Sequence, residues 1–154
     1  MDDKRNEMTS QELTEYFQKR VDNGFIGLIG TQVVEYRKGY CRTKTKVRPE
    51  LINPIGSVHG GCLYTIGDST AGMSSIELGQ PNSVTTIEGS MQFFNAAMNT
   101  EYIYAEGRVL KNGSRVVFTE VVLMGDDDRI FAKGSFTFAK IILKNIQPPA
   151  GQEA

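Results

Sequence analysis

The stretch HGGCLYTIGDSTAGMSSIEL, residues 59–78, decides how the rest of this chain is read. Its apolar residues Cys62, Leu63, Ile66, Met73 and Ile76 recur at near-helical intervals, and Gly79 with Pro81 beyond it supplies a stop. The spacing predicts one central helix. That helix carries Gly60, Gly61, Gly67 and Gly72, although an interior glycine costs about 1 kcal/mol relative to alanine. So many absent side chains imply a close neighbour, either a sheet or a twin helix in another subunit.

C-terminal to this segment the period changes to two. In residues 86–93, Ile87, Gly89, Met91 and Phe93 alternate with Thr86, Glu88, Ser90 and Gln92, which predicts a strand with those two sets on opposite faces. Ile103, Ala105, Gly107 and Val109 mark a second strand, ended by the hairpin signal Asn112-Gly113. Val116 to Met124 is apolar on both faces, as a central strand should be. Asp126-Asp127-Asp128 reads as a solvated hairpin loop, since three successive aspartates point in different directions and suit a metal poorly. Ile130, Ala132, Gly134, Phe136 and Phe138 give the last strand, and Gln147-Pro148-Pro149-Ala150-Gly151 reads as a disordered tail.

N-terminal to the segment, Thr9 and Glu12 form a potential capping box, with Leu13, Tyr16, Phe17 and Val21 on one side of a helix over about 10–22. Thr31 to Val47, broken at Lys38-Gly39, reads as two strands around a turn. In the second of these, Arg42, Lys44, Lys46 and Arg48 make one face basic, more simply a solvated face than a phosphate-binding stripe. Pro49, Pro54 and Gly56 make residues 48–58 a loop. Helix, two strands, glycine-rich helix and four strands, without βαβ alternation, define an α+β class: a mostly antiparallel sheet with one long helix on a single face.

Composition narrows the function. A chain of 154 residues, 40% hydrophobic and 23% charged, makes one domain and buries roughly 70% of its unfolded surface, so no disulfide or structural metal is needed. Seventeen basic against eighteen acidic residues argue against nucleic acid or anionic membrane as the partner. Cys41 and Cys62 stand apart, and one histidine cannot complete a zinc site with them. Met1 to Glu7 is charged, and no apolar run approaches the ~18 residues of a span, so the expected location is cytoplasmic with both thiols reduced.

Residues able to do chemistry gather where the central helix starts. The first N–H groups of a helix lack internal acceptors and carry partial positive charge, so the amide of Gly60 or Gly61 can donate to a developing oxyanion. Asn53 offers a side-chain amide to orient a carbonyl or a water, and Asp68 is a carboxylate within an apolar pattern, a candidate base if burial raises its pKa. His59 alone reads as readily as a helix cap, and Asn53-Pro54 as an ordinary turn. Together they supply orientation, oxyanion stabilisation and water activation or direct attack, the requirements of acyl transfer.

From about Gly27 to Ala139 the sequence resembles the hotdog-fold acyl-CoA thioesterases of the phenylacetate-pathway type, within the 4-hydroxybenzoyl-CoA thioesterase superfamily. The pattern N-x-x-G-x-x-H-G-G followed by an acid falls in register on Asn53, Gly56, His59, Gly60, Gly61 and Asp68. Val47 to Leu51 and Phe93 to Ala97 are also similar to family segments. The resemblance implies a curved antiparallel sheet wrapped around one long helix, in homodimers that commonly assemble into homotetramers. It implies Asp68 as base or nucleophile, the Gly60 amide polarising the thioester carbonyl, Asn53 and His59 shaping the site, and Thr86 in the place of a hydroxyl residue that positions water. No cofactor or metal is implied. The expected organisation is an N-terminal helical extension over 1–26, a hotdog domain over 27–143 and a tail over 144–154.

Helix geometry adds its own constraint. Gly60 and Asp68 are eight residues apart, ~12 Å along one axis at 1.5 Å per residue. One thioester cannot readily meet both, whereas an antiparallel twin brings its Asp68 opposite the first subunit's Gly60 and Asn53. The expected reaction is hydrolysis of an acyl thioester, most simply acyl-CoA, to acid and thiol at a site shared by two subunits. Gly61, Lys111 and Arg115 are the further candidates for holding substrate, the last two for its phosphates. A non-catalytic acyl-CoA or acyl-carrier-protein binding module, and a hydratase of the same fold, are the alternatives.

Overall fold

The computed structural model describes residues 4–76 and 83–142. After a 3-10 turn at Lys4–Glu7 come α1 (Ser10–Val21), α2 (Phe25–Ile29), β1 (Thr31–Arg37), β2 (Tyr40–Lys46), a 3-10 turn at Pro49–Leu51, α3 (Gly60–Ile76), β3 (Ser83–Phe93), β4 (Tyr102–Asn112), β5 (Val116–Met124) and β6 (Ile130–Ile141). The expected Gly79-Pro81 stop and the C-terminal tail lie outside the described residues. The strands form one antiparallel sheet in the order β1-β2-β4-β5-β6-β3, and α3 packs across one face. This is the α+β hotdog arrangement, a curved sheet around a long helix.

The glycines explain how α3 comes so close. A Cβ at Gly107 on β4 would stand 2.8 Å from the Thr70 carbonyl oxygen of α3, and one at Gly67 would collide with the Met91 methyl of β3. The main core lies between helix and sheet, with Leu63, Ile66 and Ala71 against Ile103, Ala105, Val121, Leu123, Phe136 and Phe138. Buried polar groups on this face are paired, as burial demands: Thr43 Oγ1 and Thr70 Oγ1 are 2.8 Å apart, and Tyr36 Oη donates to the Met73 carbonyl at 3.0 Å. A second core joins Leu13, Phe17 and Val21 of α1 to Val33, Tyr36, Cys41 and Met73.

Two local readings change. The short α2 was not expected, because five residues are too few to show a helical period. Strict alternation in β3 fails at a bulge between Thr86 and Glu88. The extra residue reverses the facing of everything before it, so Thr86, opposite Phe138, joins Gly89, Met91 and Phe93 on the helix side instead of opposing them. Among the described residues no helix is long and apolar enough to cross a membrane.

The basic face of β2 is held by its neighbours. Arg42 lies 3.7 Å from Glu106, Lys46 lies 3.9 Å from Glu101, and the Lys44 ammonium stands 5.4 Å from the Tyr102 ring centroid. Arg42 and Lys44 are partly buried, so these cross-strand contacts hold them against Glu106 and the Tyr102 ring, while Lys46 is exposed. At the Asp126 loop, the carboxylate accepts from Thr100 Oγ1 at 2.8 Å and from the amides of Glu101 at 2.6 Å and Tyr102 at 3.4 Å. Those bonds fasten the start of β4, and among the described residues no cluster of three His, Cys, Asp or Glu side chains could hold a metal.

Candidate active site

The loop before α3 is built around Asn53. A bridge between Ile52 and Val58 closes it, Asn53 N–H donates to the Ser57 carbonyl at 2.8 Å, and Gly56 takes φ 86°, where a side chain would be strained. Asn53 Oδ1 accepts from the amides of Ile55 and Ser57, both at 3.1 Å, and Nδ2 donates to Ser57 Oγ at 2.9 Å. Its carbonyl is thus committed to the loop, and one N–H of its amide group remains for a ligand.

His59 caps the helix. Its Nδ1 accepts from the Gly61 amide at 2.9 Å and its carbonyl accepts from Cys62 and Leu63 at 2.9 and 3.1 Å. With Nδ1 accepting, a neutral imidazole carries its proton on Nε2, and the side chain is exposed. The Gly61 amide is therefore occupied, whereas the Gly60 N–H has no acceptor among the described residues. Of the two candidate oxyanion donors, Gly60 is the free one. It opens onto a cleft of about 270 Å³ whose walls include Asn53, Ile55, Leu63, Phe93 and Phe94.

Asp68 lies two turns farther along α3, half-buried, and accepts from Thr86 Oγ1 at 2.8 Å. Burial pushes its carboxyl above the usual aspartate value, and the Thr86 hydroxyl, by bonding the charged form, pulls it part of the way back. The β3 bulge makes this contact, because an unbulged strand would turn Thr86 away from the helix.

The sequence did not single out Tyr64, which lies between the two groups. Its hydroxyl donates to the Gly89 carbonyl at 3.0 Å, and burial, with Asp68 and Glu88 nearby, raises its pKa. Gly60, Tyr64 and Asp68 recur every four residues on one face of α3 and meet Phe93, Gly89 and Thr86 of β3 in turn. Lys111 and Arg115 flank the β4–β5 turn, at the end of the sheet where Val117, Phe138 and Thr86 lie abreast. One chain thus brings Thr86 to Asp68, and Asn53 and His59 to Gly60, but keeps the two groups apart.

The fold is the hotdog architecture of thioesterase-type hydrolases. A family model described as "Thioesterase superfamily" matches residues 55–132, and the chain belongs to that family. A Mycobacterium tuberculosis protein, named provisionally as an esterase, is 27% identical over 110 residues, covering 69% of this chain and 78% of its own. A Pseudomonas aeruginosa protein of solved structure superposes with TM-score 0.74 at 26% identity, over 80% of this chain and 98% of its own. The PaaI protein of the Escherichia coli phenylacetic acid degradation operon shares the fold with TM-score 0.79, at 14% identity over 88% of this chain and 97% of its own. A Streptococcus mutans protein solved with acetyl CoA also shares it, with TM-score 0.68 at 23% identity over 73% and 89% of the two chains.

Proposed function

We propose that this protein hydrolyses acyl thioesters, with coenzyme A as the thiol, at two equivalent sites of a homodimer. Each site takes the Gly60 helix mouth from one subunit and Asp68 from the other. The observation that carries this reading is the alignment of α3 with an open edge strand. Setting Gly60 against the partner's Asp68 centres the twofold axis on Tyr64, midway between them in sequence. The residues of β3 beside those two groups, Phe93 and Thr86, are centred between Gly89 and Ser90. One axis therefore serves both elements, and β3 pairs antiparallel with its copy.

In this arrangement the Gly60 N–H donates to the thioester carbonyl and strengthens as negative charge develops on the oxygen. Asp68 of the partner takes a proton from water as water attacks, or attacks the carbonyl carbon itself. With water as the nucleophile, the carbon–sulfur bond breaks to give the carboxylic acid, and the proton held by Asp68 passes to the leaving thiolate. With Asp68 as the nucleophile, the same cleavage leaves an acyl–aspartyl anhydride that water then hydrolyses to the acid and free Asp68. Thr86 holds the carboxylate, Asn53 shapes the loop, and His59 Nε2–H is placed to donate to substrate. Gly61 leaves room at the mouth. Lys111 and Arg115 lie at the Asp68 end of the strands, so they reach the carrier's phosphates only across the interface. Solved relatives bound to acetyl CoA and to coenzyme A support the choice of thiol.

The test is thiol release from a panel of acyl-CoAs. Asp68→Asn is expected to lower kcat by about 10²- to 10⁴-fold, the usual worth of an acid–base group, with the dimer intact. Heterodimers of Asp68→Asn with Asn53→Ala chains are expected to recover turnover, because one of their two sites is unaltered. No recovery in verified heterodimers would sink the shared site, and an absence of hydrolysis in the unaltered protein would leave a binding module.

A further inference from the structure

Along the stripe from Gly60 to Asp68, Tyr64 is the large side chain, and it is pinned. Its hydroxyl bonds the Gly89 carbonyl at 3.0 Å, and its ring meets Phe136 edge-on with centroids 5.4 Å apart. Gly89 provides the room, since a Cβ there would stand 2.5 Å from the tyrosine oxygen and collide with the Phe136 ring. A thioester polarised by Gly60 has two arms to place. The coenzyme A arm carries phosphates, whose burial without partners is costly, so it leads out to solvent. The acyl arm is left to run inward along the seam between the two copies of α3. Four residues in, about 6 Å at 1.5 Å per residue, it reaches Tyr64. The same symmetry sets Tyr64 against the partner's Tyr64 on the axis.

We propose that Tyr64 ends the acyl pocket, so that the protein accepts compact acyl groups and rejects long ones; this rests on the shared-site reading above. Two tyrosines back to back close both pockets at once. Each is held by a main-chain carbonyl and a packed ring instead of swinging freely, which makes the limit on depth sharp.

The test compares kcat/KM for saturated acyl-CoAs from acetyl to palmitoyl in the unaltered protein, Tyr64→Ala, Tyr64→Leu and Tyr64→Phe, with dimerisation checked by sedimentation. The unaltered protein is expected to favour short chains. Tyr64→Ala is expected to raise the long-to-short ratio by at least about 10-fold, within the range that a few methylenes are worth in an apolar pocket. Tyr64→Phe keeps the ring and is expected to keep the short-chain profile, and Tyr64→Leu carries the test should the alanine variant fail to fold. An unchanged ratio in a dimeric Tyr64→Ala or Tyr64→Leu protein, or an unaltered protein that already prefers long chains, overturns the proposal. Failure of the underlying reading looks different: Asp68→Asn keeps its turnover whatever the chain-length profile. No thiol release from any substrate removes both.

Discussion

The two edges of the sheet are finished in opposite ways. At β1 the helix α1 lies alongside and fills the vacancies of the ladder: Gln18 Oε1 accepts from Val33 N–H at 2.7 Å and Thr14 Oγ1 accepts from Tyr36 N–H at 2.9 Å. Beneath those bonds Phe17 stacks on Tyr36 with ring centroids 4.1 Å apart. At β3 no strand of the described chain pairs with the outer edge, and Ile87 and Phe93 are 58% and 51% exposed. An unpaired strand edge is a template for another strand, and proteins normally blunt it with charge, proline or a covering element. This chain covers one edge and leaves apolar residues on the other, beside Asp68 and the helix mouth. In the dimer proposed above the copy of β3 closes this edge, so the difference is between an edge finished within the chain and one finished by a second chain.

Breaking the closed edge should cost the most. Phe17→Ala removes a fully buried ring and is expected to destabilise the protein by about 3–5 kcal/mol, measured by denaturant unfolding, with turnover per folded molecule preserved. The open edge should respond in the reverse manner. Ile87→Lys places a charge on an exposed residue and should leave the fold's own stability within about 0.5 kcal/mol. In the proposed dimer that charge falls in the interface, so sedimentation should show monomers and thiol release should drop by at least about 10-fold, the cost of a central interface residue. Equal turnover in a monomeric Ile87→Lys protein would separate the edge from the chemistry.

The smallest effect sharpens the comparison at one hydrogen bond. Thr86 bonds the charged form of Asp68, so Thr86→Val should raise the Asp68 pKa beyond its already raised value. The base form is the active one. The acid limb of the kcat/KM profile should therefore move to higher pH, while the alkaline plateau keeps its chain-length preference. A limb that does not move, or moves to lower pH, would remove Asp68 from the base role.

Much of this architecture is legible in local pattern. Alternation marks β4 through Ile103, Ala105 and Gly107, Asn112-Gly113 marks its turn, and Thr9 with Glu12 marks the start of α1, where both capping bonds form, at 2.8 and 3.3 Å. Other features depend on contacts remote in sequence. The bulge at Ile87 leaves no trace in an alternating string, so Thr86 reads as facing away from the helix that it touches. Asn53 is legible as a candidate site residue, but the use of its side-chain carbonyl oxygen within its own loop is not. The place of Tyr64 is not legible either, because its anchor, the Gly89 carbonyl, lies 25 residues away.

By itself the sequence determined the α+β class, the long glycine-rich helix and the gathering of Asn53, His59 and Gly60 at its mouth, because periodicity, turn residues and helix ends are properties of neighbours along the chain. Tertiary structure alone decided that strand order leaves β3 at an edge, that Tyr64 meets the Gly89 carbonyl, and that Thr86 meets Asp68. Those outcomes rest on pairing register and on contacts between helix and strand, and neither exists until distant segments pack.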